Sequence, residues 1–124
     1  MKIYADNQFD FFICSHILEH VEDDRKALNE LYRILKPMGK GILMVPIVLS
    51  IEAIDEDPSI DNIAERWRRF GQDDHIRLYS KPGFLTRVGE AGFKILPYGQ
   101  EFFGEKLFTL VGITNQSVLY VVEK

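Results

Sequence analysis

The sequence has one cysteine, no long apolar run and no excess of basic residues. A single cysteine cannot form a disulfide within the chain, so a reducing, cytoplasmic setting is expected. No apolar stretch approaches the roughly 18 residues typical of a membrane span. The 15 basic and 19 acidic residues give a formal charge of −4, which offers no support for a nucleic-acid partner. With 46% apolar and 27% charged residues, the composition predicts one globular domain over residues 1–124.

Residues 9–35 predict a strand followed by a helix. Phe9–Ser15 is an almost continuous apolar run, which is typical of a strand covered on both faces. Asp23 or Asp24 can cap the helix that follows, because a carboxylate there accepts from unpaired backbone N–H groups. The apolar positions of this helix recur at a spacing of 3.6 residues and are Ala27, Leu28, Leu31, Ile34 and Leu35.

A second strand is predicted directly after this helix. Pro37 is expected to end the helix, and Gly39 and Gly41 to turn the chain. The apolar run 42–48 then forms the strand. A strand, a helix and a strand in this order predict a right-handed β-α-β unit with parallel strands.

The rest of the chain predicts short elements without repeats or linkers. In residues 60–70 a helix is expected, with its apolar side chains on one buried face. Those side chains are Ile60, Ile63, Ala64 and Trp67. The further predicted elements are a brief strand over 75–79, a helix from Ser80 or Lys81 to Gly92, a strand over 93–98, one helix over 101–111 and a strand over 117–123.

Short motifs along the chain occur in the order of a known family. The residues that match are Asp10, Leu18–Val21, Leu35–Pro37, Gly39, Gly71, Gln72, Asp74, His75, Arg77, Tyr79, Phe84, Arg87 and Ala91–Phe93. In these residues the chain resembles the second half of a class I S-adenosylmethionine-dependent methyltransferase of the small-molecule type known as methyltransferase type 11. Met38 replaces the usual first glycine of a turn, and Gly39 is expected to supply the positive φ there.

The resemblance implies an α/β fold with a partial Rossmann-like methyltransferase sheet. Two parallel strands and two C-terminal strands would form this sheet, with flanking helices. The implied cofactor is S-adenosylmethionine, and the implied substrate is a small-molecule methyl acceptor. The family's glycine-rich cofactor turn has no counterpart in residues 1–124, so the isolated chain is not expected to be a competent enzyme.

The resemblance also implies site residues after the first strand. Ser15, His16 and Ile17 would contact the cofactor at the carboxyl end of this strand, where ligands of open α/β sheets bind. Glu19 and His20 would border the substrate pocket. The alternative is that both histidines are turn residues bonded to the backbone. No metal is assigned under the methyltransferase interpretation.

Residues 66–79 combine arginine, imidazole, phenol and indole groups, which suit an anionic or aromatic acceptor. The candidates for substrate contact are Trp67, Arg69, His75, Arg77 and Tyr79, with His75 as the candidate general base. The alternative is a solvated face of Arg66 and Arg68 over a Trp67 packed on the sheet.

Two further patterns suggest other chemistry. The sequence His16-Ile17-Leu18-Glu19-His20 fits the H-x-x-E-H zinc peptidase pattern, which requires a helix so that both histidines share a face. Cys14 lies in an apolar strand without a basic neighbour in sequence. It is interpreted as a small buried hydrophobe, with a nucleophile as the alternative.

The strand over residues 9–15 carries a prediction about partners. In the resembling fold this strand pairs with a strand that has no counterpart here, so it becomes a sheet edge. An apolar edge without lysine or proline invites pairing, either between two copies of the chain or with a separate complementing chain. The alternatives are therefore a methyltransferase, a non-catalytic remnant or partner subunit that oligomerises through this strand, and a zinc peptidase.

Overall fold

The computed structural model describes residues 2–124 and contains a four-stranded mixed sheet and a separate two-stranded sheet. In chain order the elements are β1 (Phe9–Ser15), α1 (Asp24–Ile34), β2 (Leu35–Met44), β3 (Asp55–Glu56), α2 (Ile63–Phe70), β4 (Arg77–Leu78), α3 (Lys81–Glu90), β5 (Lys94–Tyr98), α4 (Gln100–Phe103), α5 (Glu105–Val111) and β6 (Leu119–Glu123). The larger sheet has the order β1-β2-β6-β5, and β3 pairs with β4.

The predicted β-α-β unit is confirmed. β1 pairs with β2 in parallel, with Phe12 opposite Gly41 and Cys14 opposite Leu43. Asp23 caps α1, and its carboxylate accepts from the backbone N–H of Lys26 at 2.9 Å. The two C-terminal strands complete the predicted sheet, because β6 runs antiparallel to both β2 and β5.

The junction between α1 and β2 differs from the prediction. Leu35 is the first residue of β2 instead of a helical residue, and Pro37 lies within the strand. The positive φ belongs to Met38, at 67°, and not to Gly39. A Cβ atom on Gly39 would lie 2.7 Å from the Lys36 carbonyl oxygen. Glycine is therefore needed at this position for space, while methionine takes the left-handed conformation.

Helices cover one face of the β1–β2 region. The buried core joins alternate strand residues to α1 and α3, and its members include Cys14, Leu28, Leu43, Phe84, Val88, Tyr120 and Val122. On the other face of β1, Phe11 is 50% exposed and Ile13 is 65% exposed. The prediction that β1 is covered on both faces is wrong. Helices α1 and α3 pack against the face that carries Cys14, and the face that carries Phe11 and Ile13 is exposed.

Helix α2 also differs from its prediction. It begins after Asn62, whose side chain accepts from the Glu65 N–H, and it ends at Gly71 with a φ of 76°. Ile63 and Trp67 are largely exposed, so the predicted buried face is wrong. The helix is anchored instead by buried Phe70 and by Arg69, which bonds to Asp55 and Asp57.

The C-terminal region contains two short helices where one was predicted. Gly104 separates α4 from α5 with a φ of 88°, which a helix cannot accommodate. In α3, Ser80 caps the helix as expected, and Gly92 follows it with a φ of 106°. None of the helices in residues 2–124 combines the length and apolar character that a membrane crossing requires.

Candidate functional site

The carboxyl ends of β1 and β2 lie side by side. Ser15 is opposite Met44 at the end of the parallel pair, and the His16 backbone N–H donates to the Met44 carbonyl at 2.8 Å. His16 then turns the chain with a φ of 54°. In open α/β sheets this edge binds ligands, because no strand or helix covers the strand ends.

The three residues predicted to contact the cofactor occupy this edge. Ser15 is half-buried, while His16 and Ile17 are exposed. The turn over residues 16–23 contains no glycine, so it offers side chains and not a glycine cradle. Contact between these residues and a cofactor stays a prediction.

An apolar cavity of about 610 Å³ opens next to the same edge. Its walls come from the end of β2 and the segment after it, from α4 and α5, and from β5, β6 and the loop before β6. The lining includes Met44, Val45, Ile47, Leu49, Tyr98, Phe103, Leu107, Phe108, Val111, Ile113, Val118 and Leu119, with His16, Lys81, Gln116 and Ser117 among the polar side chains. Of the predicted site residues, His16 alone lines this cavity.

Sequence reasoning did not find the cavity. The available signal was the set of apolar residues in 102–111, whose roughly helical spacing predicts one helix. The break at Gly104 turns α5 so that Leu107, Phe108 and Val111 face the cavity.

Glu19, His20 and His75 form a compact cluster beside β1. The Glu19 side chain is 1% exposed, and neither of its carboxylate oxygens has a hydrogen-bond partner among residues 2–124. His20 and His75 pack edge to face, with ring centroids 4.7 Å apart. Burial lowers the pKa of His75, and the neighbouring His20 adds to this.

Backbone contacts hold the cluster in place. The Ile76 N–H donates to the Glu19 carbonyl at 3.1 Å, which ties the turn after β1 to the segment before β4. The His20 Nδ1 atom lies 3.2 Å from the Asp74 carbonyl oxygen. Residues 18–20 form a turn and not a helix, so the helical condition of the zinc peptidase hypothesis is not met.

Arg77 lies inside the fold, away from the cavity. Its guanidinium donates to the backbone carbonyls of Leu18 and Val21, to Glu22 at 3.0 Å and to the Glu56 carboxylate at 2.9 Å. Arg77 therefore fixes the turn that carries Glu19 and His20. This placement supports a structural role, and contact with substrate stays a prediction without support from the geometry.

Tyr79 belongs to the same buried network. Its hydroxyl donates to the Asp24 carboxylate, and Arg87 bridges Asp24 at 2.8 Å and Glu56 at 2.9 Å. Burial and the bond to Asp24 raise the pKa of Tyr79. The hydrogen bond from Arg87 lowers the pKa of Glu56 to about 2. The buried position of Tyr79 gives no support to its predicted contact with substrate.

The remaining candidates are dispersed. Trp67 lies exposed on α2, so the alternative in which it packs on the sheet is wrong. Arg68 is solvated and pairs with Glu65, whereas Arg66 is half-buried and donates to the Ile60 carbonyl at 2.8 Å.

Cys14 is buried, and burial raises the pKa of its thiol to about 11, which supports its interpretation as a small hydrophobe.

Sequence comparison finds similarity to known proteins. The family model described as "Methyltransferase domain" matches residues 1–43. An uncharacterised protein of Methanocaldococcus jannaschii is 32% identical over 107 residues, which cover 86% of this chain and 40% of that protein. A ubiquinone/menaquinone biosynthesis C-methyltransferase of Rickettsia akari is 49% identical over 41 residues, which cover 33% of this chain and 16% of the enzyme. Each match thus covers less than half the length of the relative.

Solved structures share the fold over nearly the whole chain. An S-adenosylmethionine-dependent methyltransferase of Mesorhizobium loti superimposes with a TM-score of 0.55 at 14% identity, covering 99% of this chain and 65% of the other. A chain of the Haloferax volcanii complex that contains the Trm112 methyltransferase activator superimposes with a TM-score of 0.60 at 14% identity, covering 99% and 57%. At these identities the structures establish the α/β fold, and the sequence matches establish the relationship. Together they show that residues 1–43 match a methyltransferase domain in sequence, and that the chain shares the α/β fold of S-adenosylmethionine-dependent methyltransferases.

Proposed function

We propose that this chain forms the acceptor side of a methyltransferase site that takes a small apolar molecule. The observation that carries the proposal is the cavity of about 610 Å³ beside the carboxyl ends of the strands. Its volume falls within the roughly 300–1,000 Å³ of small-molecule sites, and its walls are mainly aliphatic and aromatic. The C-methyltransferase of Rickettsia akari, named for ubiquinone and menaquinone biosynthesis, supports an apolar quinone-like acceptor.

The cofactor would meet the chain at the end of β1. Ser15, His16 and Ile17 would hold its methionine portion, and His16 also lines the cavity, which brings donor and acceptor to one place. S-adenosylmethionine supplies a methyl group on a sulfonium, which already carries a good leaving group. The side chains then mainly need to align the acceptor with the methyl carbon and exclude water.

A naphthoquinone titration tests the cavity. Leu107 lines it and is 42% exposed, whereas Leu110 lies in the same helix, is 81% exposed and is absent from the lining. We expect Leu107→Gln to weaken binding about tenfold, because the bound naphthoquinone would cover the amide and leave it without a partner, at a cost of about 1–3 kcal/mol. Leu110→Gln is the matched control and should bind as the wild type does. Equal binding by the two variants contradicts the proposed acceptor site.

A second titration tests the cofactor. Calorimetry with S-adenosylhomocysteine, the demethylated product, should give heat at micromolar concentration if the chain binds the cofactor. The absence of heat favours the second candidate, a non-catalytic subunit that acts through β1. Loss of naphthoquinone binding and loss of cofactor binding are separate results, so each half of the proposal can fail alone.

The second candidate rests on the edge of the sheet. Within residues 2–124, β1 has a strand neighbour on one side only, and Phe11 and Ile13 project from its open face. We propose that a further strand, from a second copy or a complementing chain, pairs with this edge. The cofactor portion beyond the methionine end would then be held by residues outside this chain.

Oligomer size and amide exchange test the edge. Ile13→Lys should dissociate a complex formed through β1, because it places a charge on the contact face. Ile63→Lys is the matched control, since Ile63 is 61% exposed and Ile13 is 65% exposed. A monodisperse monomer in which the β1 amides exchange freely would exclude pairing at this edge.

A further inference from the structure

Glu19 is a buried carboxylate without a hydrogen-bond partner. Its side chain is 1% exposed, and neither carboxylate oxygen has a hydrogen-bond partner among the described residues. An ionised carboxylate in this position is costly unless a cation or donor compensates it. The side chains that surround it are imidazoles: His16 Nδ1 lies 3.5 Å and His20 Nε2 lies 3.7 Å from Glu19 Oε1.

A third imidazole completes the group. One ligand atom each from Glu19, His20 and His75 lies within 4.8 Å of the other two. In a tetrahedral zinc site with ligand atoms about 2.1 Å from the ion, two ligand atoms lie about 3.4 Å apart. The ligand atoms of the three side chains therefore need to approach one another by at most about 1.4 Å to share an ion.

The contact between the His20 Nδ1 atom and Asp74 is typical of a histidine that binds a metal through Nε2. Its Nδ1 atom faces the Asp74 carbonyl oxygen at 3.2 Å and the Asp74 carboxylate at 3.3 Å. With the proton on Nδ1, the lone pair of Nε2 points toward Glu19. Metal-binding histidines usually donate their other ring N–H to a carbonyl or carboxylate in this way.

We propose that Glu19, His20 and His75 bind a divalent transition-metal ion. Two imidazoles and one carboxylate are a donor set that suits zinc and related first-row ions. The ion would compensate the Glu19 charge and join the turn after β1 to the segment before β4. The arrangement differs from an H-x-x-E-H peptidase, because Glu19 is here a ligand and not a free base.

Zinc titration of the metal-free chain tests the proposal. We expect one zinc ion per chain by calorimetry, and a bound cobalt ion should give visible absorption bands of a nitrogen and oxygen site. Glu19→Gln and His75→Asn should each weaken zinc binding at least tenfold. Glu22→Gln is the matched control, since it makes the same substitution at an exposed carboxylate three residues along the chain.

Stability in a chelator separates a lost ligand from a lost fold. With EDTA present, Glu19→Gln should unfold at the same or a higher temperature than the wild type, because it removes a buried carboxyl group that has no hydrogen-bond partner among the described residues. Added zinc should raise the melting temperature of the wild type and of Glu22→Gln, and leave Glu19→Gln unchanged. The proposal is overturned if the wild type binds no zinc, if Glu19→Gln binds it equally, or if Glu19→Gln is destabilised in EDTA.

Discussion

Replacing Arg77 with methionine removes a buried guanidinium that holds the turn after β1. Arg77 donates to the carbonyls of Leu18, Val21 and Glu22 and to the Glu56 carboxylate. Methionine has a similar length and no donor. The variant therefore leaves the buried Leu18 carbonyl without this partner and removes one of the two arginines that bond to Glu56.

The expected loss of stability is large. Breaking a buried charge pair by removing one partner costs about 3–5 kcal/mol, and an unpaired buried carbonyl costs about 1–3 kcal/mol. Arg87 still contacts Glu56 and Asp24, which limits the loss. We expect about 4 kcal/mol, against a total of roughly 5–15 kcal/mol for a domain.

Urea denaturation measures this difference. Arg68→Met is the matched control, because Arg68 is largely exposed and pairs with Glu65 on the surface of α2. Such pairs contribute at most about 1 kcal/mol. Amide exchange of residues 18–22 should also accelerate in Arg77→Met and not in Arg68→Met. A stability loss in Arg77→Met within about 1 kcal/mol of the control would refute the structural role of the network.

Three further predictions follow from single contacts. Gly41→Ala should lower the free energy of unfolding by about 1–3 kcal/mol, because its Cβ would lie 2.4 Å from the Phe12 ring. Gly89→Ala in α3 should be neutral or stabilising, because its Cβ would meet no atom within 4 Å beyond its chain neighbours and the helix backbone; equal effects in a denaturation experiment would contradict this. The pKa of Glu56 is lowered to about 2 in the fold, so ionised Glu56 stabilises the folded state. This stabilisation is full above about pH 4.5, the unfolded pKa, and is lost as pH falls from about 4.5 to 2. The unfolding free energy should therefore drop over that range, by about 2 kcal/mol after allowance for partial exposure, and less steeply in Glu56→Gln; parallel pH curves would disprove the assignment. Because the thiol pKa of Cys14 is raised to about 11, iodoacetamide should modify native Cys14 at pH 8 far more slowly than urea-unfolded chain, and similar rates would contradict its burial.

Local sequence patterns determined the secondary structure of the first half. The apolar run 9–15, the Asp23 cap and the 3.6-residue spacing in α1 each act within a few neighbouring residues, so they could be interpreted without the fold. The order of short motifs likewise predicted the family and the parallel pairing of β1 with β2. The start of β2 was misplaced because proline and glycine are turn residues in most local contexts.

Tertiary contacts decided what the polar residues do. Arg77 donates a hydrogen bond to Leu18, 59 positions away, and Tyr79 donates one to Asp24, 55 positions away. Local periodicity in the sequence cannot predict such distant pairs. The sequence therefore suggested substrate contacts for side chains that the fold buries. The sequence predicted Glu19 and His20 at the substrate pocket and His75 as a general base, without predicting that the three are neighbours. Folding of the chain brings one ligand atom of each within 4.8 Å of the other two. The cavity has the same origin, since its walls come from segments that are distant in sequence and meet at one edge of the sheet.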